Sequence, residues 1–354
     1  MPGTVFLAMS GGVDSSVAAL LLLERGHRVV GVTLRLFDAC AGSAGTTCCG
    51  LEDAADARSV AAVLGIEHRV LEHQQAFRRL VIEPSAQEYA RGRTPNPCIL
   101  CNARVKFGTF WEYAMAHGAD AVATGHHARI EREGGRAELR RGRDKAKDQS
   151  YVLFTLGPEQ RLSTLLPVGE LIKEQVRDRA RAASLPVAEK KESQDVCFAP
   201  GGDLARVVEE SLGVQGPGLI KHADGRTLGT HSGIHRFTVG QRRGLRIPDA
   251  HPLYVLAIDA TSREVTVGPR EDLAVRRFAV DEWRWHAEAG ERPSEALVQV
   301  RYRHMPGPAK LEETRTGMVI EWLAEPRGVT PGQAAVAYRG ETVVGGGWIR
   351  GPAP

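Results

Sequence analysis

Residues 4–25 read TVFLAMSGGVDSSVAALLLLER, and this stretch decides the fold. Thr4 to Met9 is a short apolar run of strand character, Ser15 to Arg25 has helical periodicity, and two glycines mark a turn between them. The alternation continues downstream. His27 to Leu36 is rich in β-formers, Asp53 to Leu64 reads as a helix and Glu67 to Leu71 as a short strand. Thr109 to His117 reads as a helix and Ala121 to Thr124 as a buried strand. Repeated β-α-β units of this kind predict an α/β domain built on a parallel sheet with helices on both faces. Ligands bind such sheets at the carboxyl ends of the strands, so the loops after Met9, Leu34 and Thr124 are the candidate binding loops.

The chain has 354 residues, more than one typical domain. Its 42% apolar and 25% charged content is that of a globular protein, which excludes a disordered or fibrous chain. No run approaches the roughly 18 apolar residues of a membrane span. The N-terminus lacks a basic region ahead of its apolar run, so the expectation is a cytoplasmic protein with no membrane association. After about Pro200 the character changes. Glycine and proline become dense, and Leu253–Ile258, Glu264–Val267, Ala296–Tyr302, Gly317–Trp322, Ala334–Tyr338 and Thr342–Ile349 read as strands at the spacing of small barrels. Boundaries near 200 and 275 divide the chain into an N-terminal domain over 1–200, a small central domain over 201–274 and a β-barrel over 275–354.

Net charge is only +3, but its distribution is uneven. Arg129 to Lys147 holds eight Lys/Arg against four Asp/Glu, and Gly225 to Pro248 holds five arginines and no acids. Two basic patches on a nearly neutral chain suit a nucleic-acid partner, although either alone reads better as an ordinary solvated face. The six cysteines are Cys40, Cys48, Cys49, Cys98, Cys101 and Cys197. In a reducing compartment they point to catalysis, metal binding or burial rather than to disulfide staples. Cys40, Cys48 and Cys49 fall in a Gly/Ala/Ser-rich loop and read as idle thiols.

Three motifs carry chemistry. Ser10-Gly11-Gly12-Val13-Asp14-Ser15-Ser16 follows the first strand and opens the first helix. Its glycines bring backbone N–H groups close to an anion, its serines add hydroxyls, and the helix N-terminus adds partial positive charge. This is a phosphate cradle without the Gly-Lys-Ser/Thr of a Walker loop or the Gly-x-Gly-x-x-Gly of a dinucleotide loop. Thr94-Pro95-Asn96-Pro97-Cys98-Ile99-Leu100-Cys101-Asn102 stiffens a segment with prolines and presents two cysteines together. A lone CxxC is ambiguous among redox, metal and structural uses. Lys190-Lys191-Glu192-Ser193-Gln194-Asp195-Val196-Cys197-Phe198 sets a cysteine after two lysines, which favour its thiolate.

The first heptad resembles the PP-loop of ATP pyrophosphatases. With TPNPCILCN and SQDVCF added, and with ATGHHAR, KDQSYVL, LLPVGELIK, TVGQRRGL, RYR and PGQAAVAY following in order, the whole chain resembles the tRNA-specific 2-thiouridylases of the MnmA/TrmU family. The resemblance implies a PP-loop domain, a small central domain and a C-terminal β-barrel. It implies ATP-dependent replacement of the C2 oxygen of the wobble uridine, position 34, by sulfur in the tRNAs for Lys, Glu and Gln. A uracil carbonyl oxygen is a poor leaving group; adenylation converts it into AMP, and a cysteine persulfide supplies nucleophilic sulfur.

Position by position, the resemblance assigns the persulfide to Cys197 and the sulfur-releasing nucleophile to Cys101, with a Cys101–Cys197 disulfide as a product. It assigns ATP to Ala8, Met9, Ser10, Gly11, Gly12, Val13, Asp14, Ser15, Leu34 and Gly125, with Mg²⁺ between Asp14 and the phosphates. It assigns tRNA to Asn96, Pro97, Cys98, His126, Lys147, Asp148, Gln149, Arg301, Tyr302 and Gln333. The sulfur donor is a cysteine desulfurase or a sulfur carrier, and the working unit is a monomer. Some relatives carry Asp where Cys98 stands, so an acid–base role there is in doubt. The alternative is a [4Fe-4S] cluster on Cys98, Cys101 and Cys197 with sulfide on an open iron; zinc is a weaker option. Other functions compatible with parts of the sequence are a different PP-loop ligase, which needs no cysteines, and a non-enzymatic RNA-binding protein, which needs no ATP loop.

Overall fold

Val5, Phe6 and Leu7 are almost wholly buried, as a strand covered on both faces must be. In the computed structural model, which describes residues 2–37, 51–191, 196–199 and 203–353, they form the middle of β1 (Thr4–Ala8). The helix α1 (Val13–Glu24) follows and buries Val13, Val17, Ala18, Leu21 and Leu22 along one stripe. Next come β2 (Arg28–Arg35), α2 (Leu51–Leu64), β3 (Glu67–Glu72), β4 (Ala121–Thr124), β5 (Ala128–Glu133), β6 (Arg136–Arg141) and β7 (Thr164–Leu165). The sheet order is β3-β2-β1-β4-β7, and its pairings are parallel, with Thr4 opposite Arg28 and Val5 opposite Ala121. The chain winds outward from β1 through β2 and β3, then returns to place β4 on the other side of β1. The β1/β4 boundary is therefore the topological switch point, where a crevice opens at the strands' carboxyl ends. Core residues of α1, α2 and the Lys173–Ala182 helix close over the sheet, among them Val17, Leu22, Val60, Val176 and Ala180.

The sheet belongs to the first of two compact units, Met1–Val81 with Cys98–Gly202 and Glu341–Val343. Glu341–Val343 enter it through Thr342, which pairs with Arg140, and through the Glu341 carboxylate, which takes the side chains of Arg129 and Lys145. The second unit holds Ile82–Pro97, Asp203–Gly340 and Val344–Pro354. Within it β8 (Gly218–His222), β9 (Thr227–His231), β10 (Tyr254–Asp259) and β11 (Glu264–Gly268) form a sheet in the order β10-β11-β8-β9. This sheet packs on Ile234, Phe237, Val239 and Leu245. Then β12 (Arg277–Trp285), β13 (Glu295–Gln299), β14 (Gly307–Thr314), β15 (Gly317–Trp322), β16 (Ala334–Arg339) and β17 (Thr342–Pro352) run in the order β12-β15-β14-β13-β16-β17. Pairing of β17 back onto β12, from Phe278–Pro352 to Trp285–Gly345, closes a six-stranded barrel around Phe278, Ile320 and Trp322.

Two local expectations change. The strand expected over Ala296–Tyr302 ends at Gln299, because the Gln299 side-chain amide donates to the Arg301 carbonyl at 3.0 Å and turns the chain. Arg303 takes φ of 64° in that turn, so Arg301 and Tyr302 sit on a loop rather than a barrel strand. The helix expected from Thr109 begins earlier, since a π-helix over Cys101–Thr109 runs into the Phe110–Ala116 helix. Among the described residues no helix is long and apolar enough to cross a membrane.

Candidate functional site

The phosphate cradle is built by close packing. Gly11 adopts φ of 68°, and a Cβ there would run into the Asp53 carbonyl of α2. Gly125, just past β4, lies so near α1 that a Cβ would stand 2.6 Å from the Ser15 nitrogen. The Ser15 hydroxyl donates to the Gly12 carbonyl at 3.0 Å and accepts from the Ser10 amide at 3.2 Å, while Ser16 donates to the same carbonyl at 2.9 Å. These bonds fix the turn that aims the N-terminus of α1 at the crevice.

An open cleft lies at that crevice. Ala8, Met9, Ser10, Asp14 and Ser15 line one side, Val32, Thr33, Leu34 and Leu36 an apolar wall, and Thr124, Gly125 and His126 the other side. Of the ten residues that the resemblance assigns to ATP, Gly11, Gly12 and Val13 shape the turn without lining the cleft, and Val13 is in the core. His126 and Gln149, assigned to tRNA, line this same cleft, and Lys106 of the π-helix joins them.

Electrostatics divide the cleft. Lys173 donates to both oxygens of Asp14 at 2.7 and 2.8 Å, and His127 Nε2 lies 3.1 Å from Oδ1. Burial pulls the Asp14 carboxyl up, but the His127 hydrogen bond and the two basic neighbours outweigh it and hold it below the usual carboxylate value. Burial, with Lys106 and His127 nearby, pushes His126 well below an ordinary histidine, so its ring is neutral at pH 7. Its Nδ1 is hydrogen-bonded to the Thr124 hydroxyl at 2.7 Å. Opposite, Lys190 bridges Asp53 and Asp56 at 2.6 Å each.

The thiols are placed differently from one another. Cys98 is exposed on the short Pro97–Leu100 helix, Cys101 is buried at the start of the π-helix, and Cys197 is half-buried beside Phe198, which packs edge-on against Phe77 at 5.6 Å. Among the described residues no three His, Cys, Asp or Glu side chains stand close enough together to hold a metal ion. Nothing in this arrangement supports the [4Fe-4S] or zinc alternative on Cys98, Cys101 and Cys197. Cys40, Cys48 and Cys49 lie outside the described residues, as does the Glu192–Asp195 part of the third motif.

The remaining tRNA assignments are scattered. Asn96 is half-buried, Pro97 buried and Lys147 half-buried. The Asp148 carboxylate turns into its own loop, accepting from the amides of Gly142 and Ser150 at 3.0 Å each. Gln149 accepts from the His127 amide at 2.9 Å. Arg301 is exposed and Tyr302 half-buried, with the Arg303 guanidinium over the Tyr302 ring. Gln333 is buried and donates to the Thr94 carbonyl at 2.8 Å. The Thr94 amide donates to the Pro331 carbonyl at 2.8 Å, and its hydroxyl bonds that of Thr238 at 3.2 Å. The TPNP, TVGQ and PGQ motifs are thus knit together inside the second unit.

The first basic patch is largely spent internally. Arg129 and Lys145 pair with Glu341, Arg140 with Glu131 and Arg141 with Asp148, while Arg132 donates to the Arg161 and Leu162 carbonyls. In the second patch Arg226 pairs with Asp224 and Arg236 with Glu209, while Arg242, Arg243 and Arg246 are exposed. Sequence reasoning missed Asp53, Lys106 and Lys173, and read Lys190 only as a lysine favouring the Cys197 thiolate. Lys173 lies inside a quoted stretch, GELIK, and Lys106 four residues past TPNPCILCN, but only folding shows where they point.

Comparison with known proteins covers the whole chain. Residues 3–201 match a family model described as the tRNA methyl transferase HUP domain, 205–269 the tRNA methyl transferase PRC-barrel domain, and 275–349 the aminomethyltransferase beta-barrel domain. The protein named tRNA-specific 2-thiouridylase MnmA in Geotalea uraniireducens is 46% identical over 98% of this chain and 94% of its own. Those of the same name in Geobacter metallireducens and Chloroflexus aurantiacus are also 46% identical over 98% of this chain, covering 96% and 98% of theirs. Among solved structures the chain overlaps loosely with an NMN synthetase from Francisella tularensis, at TM-score 0.34 and 18% identity over 58% of this chain and 75% of that one. Near-half identity over 98% of the chain, with a family model matching residues 3–201, means that the chain belongs to the tRNA-specific 2-thiouridylase MnmA family.

Proposed function

We propose that this protein is an ATP-dependent tRNA uridine 2-thiolase working in two steps. In the first, the uridine O2 attacks the α-phosphorus of ATP, forming an O–P bond and expelling pyrophosphate. The cradle of Ser10–Ser15 holds the phosphates, Leu34 and its apolar neighbours take the adenine, and Mg²⁺ enters with the nucleotide, neutralising charge beside Asp14. Neutral His126 and cationic Lys106 face the same cleft and are placed to orient the uracil and offset charge at the phosphorus.

In the second step the terminal sulfur of a Cys197 persulfide attacks C2 and AMP leaves. The Cys101 thiolate then attacks the Cys197 sulfur, breaking the S–S bond, releasing 2-thiouridine and leaving a Cys101–Cys197 disulfide. A dithiol reductant returns both cysteines to thiols, and an external desulfurase or sulfur carrier reloads Cys197. The exposed Arg242, Arg243 and Arg246, with Arg301, suit phosphate contacts to the tRNA backbone.

The observation that carries this reading is the run Cys101–Thr109: one helix begins at a buried cysteine and delivers Lys106 into the nucleotide cleft. A ligase of the same loop type has no use for that thiol. The test measures pyrophosphate and thiolated nucleoside with tRNA, ATP and a sulfur source. Cys197→Ser is expected to lose 2-thiouridine while tRNA-dependent pyrophosphate release persists. Full thiolation in Cys101→Ser/Cys197→Ser, or pyrophosphate release indifferent to tRNA, defeats the proposal.

A further inference from the structure

Cys98 has no part in either step above, yet it stands three residues before Cys101 on one continuous run of helix, Pro97–Leu100 leading into Cys101–Thr109. Leu100, at the join, has φ of −61° and ψ of −43°, so the turn from Cys98 to Cys101 is α-helical. Such a turn sets Cα atoms three residues apart about 5 Å from one another, within the roughly 4.4–6.8 Å that a disulfide spans. The two thiols differ in access. Cys98 is exposed, Cys101 is only 8% exposed, and Ile99 and Leu100 between them are buried. Desolvation by the atoms around it, partly offset by the Lys106 ammonium, lifts the Cys98 thiol above an ordinary cysteine. It therefore rests protonated, and its thiolate, once formed, is the stronger nucleophile.

The Cys101 helix shares its support with Cys197. Phe198 packs on Phe77, the Arg78–Ile82 helix follows Phe77 directly, and Arg104 donates to the Leu80 carbonyl of that helix at 3.2 Å. These placements bear on how the Cys101–Cys197 disulfide left by the second step is opened. Thiol–disulfide exchange needs a thiolate in line with the S–S bond, and an external protein dithiol has no such approach to a sulfur as covered as that of Cys101. Attack on the half-buried Cys197 would open the bond. A reductant with that access would also strip the persulfide before it met the uridine.

We propose that Cys98 is the resolving thiol of this enzyme: it moves the disulfide from Cys101–Cys197 to the CxxC pair Cys98–Cys101, where an external protein dithiol reduces it. Cys98 gives its proton to solvent and its thiolate attacks the Cys101 sulfur. The bond to Cys197 breaks, and Cys197 leaves as a thiolate ready for new sulfur. One thiolate of the external dithiol then attacks the Cys98 sulfur and releases Cys101. Its second thiolate closes the dithiol into its own disulfide and releases Cys98. The inference rests on the two-step reading above, which supplies the Cys101–Cys197 bond.

The experiment uses full-length enzyme loaded with sulfur by a cysteine desulfurase and free cysteine, then freed of both. It makes one turnover on tRNA with Mg²⁺–ATP and no reductant. Half of each sample is alkylated at once and its disulfides are mapped; the other half receives reduced thioredoxin as the protein dithiol, and returning thiols are counted. The wild-type map is expected to contain the Cys98–Cys101 bond. In Cys98→Ser the bond is expected to be Cys101–Cys197 alone. Its reduction, counted per disulfide formed so that turnover itself drops out, is expected to be about 10- to 100-fold slower, the penalty for losing an attack within the chain. Thioredoxin lacking its second cysteine is expected to be captured on Cys98 of the wild type. Reduction of the Cys98→Ser disulfide at the wild-type rate, a wild-type map without the Cys98–Cys101 bond, or capture of thioredoxin on Cys197 overturns the assignment. If wild type makes 2-thiouridine and leaves every cysteine reduced, the two-step reading fails instead, so the two failures are told apart.

Discussion

Replacing Lys173 by methionine removes the cation from Asp14 while keeping the length and packing of the side chain. Lys173 makes two charged hydrogen bonds, at 2.7 and 2.8 Å, to a carboxylate whose side chain is 31% exposed. A hydrogen bond to a charged group contributes about 1.5–3 kcal/mol net, and because water partly replaces the lost partner here, that range serves for the whole substitution. At about 2–4 °C per kcal/mol for a unit of this size, Lys173→Met should lower the melting temperature of the first unit by about 3–12 °C at pH 7.

The pH dependence has a definite sign. The Asp14 carboxyl is depressed in the folded protein, so its contribution is present above the unfolded carboxyl value of about 3.9 and disappears as pH falls through the lower folded value. The gap between wild type and Lys173→Met should therefore be open at pH 7, persist at pH 5, and narrow below about pH 4. Because Asp14 lines the cleft, pyrophosphate release should drop about 10- to 150-fold, the same energy expressed as rate. Calorimetry across pH together with a pyrophosphate assay checks both. Equal melting temperatures at pH 7, or a gap that does not change down to pH 3, would refute the account of Asp14.

Gly11→Ala forces a Cβ onto the Asp53 carbonyl at φ of 68°. The left-handed backbone and the overpacking together should cost about 2–5 kcal/mol in denaturant unfolding. A loss below about 1 kcal/mol would mean that the loop yields freely. Gln333→Ala removes the bond that holds the Thr94 carbonyl. It should raise KM for tRNA and leave KM for ATP alone; equal changes in both would detach the TPNP segment from tRNA recognition.

The phosphate loop was legible because everything it needs is local: strand, two glycines, three serines and a helix start within 13 residues of Thr4. Parallel layering was legible for the same reason, through alternating apolar periods. Lys173 was not, since it meets Asp14 from 159 residues away and no spacing rule spans that distance. The Arg129–Lys147 patch is less basic than its composition suggests, because Glu341, Glu131 and Asp148 pair with four of its eight Lys/Arg. Strands β12 and β14 escaped notice because RFAVDEWRW breaks its alternation and GPAKLEET alternates over only two apolar side chains, Ala309 and Leu311. Arg301 and Tyr302 read as strand because a side-chain bond from Gln299, invisible in any pattern, ends it.

The segmentation of the first unit sets an order of assembly. Strand β1 precedes β4, one of its two neighbours, by about a hundred residues, and the Glu341–Val343 piece follows most of the second unit in the chain. Closing loops of that length is slow, and the barrel shares the delay because its closing strand β17 begins at Thr342. Until residue 341 is made, Arg129 and Lys145 lack the carboxylate that they hold down to about 2 in the finished protein. Chains interrupted before that point would carry a first unit without its Glu341–Val343 piece, its Arg129 and Lys145 left as uncompensated positive charge.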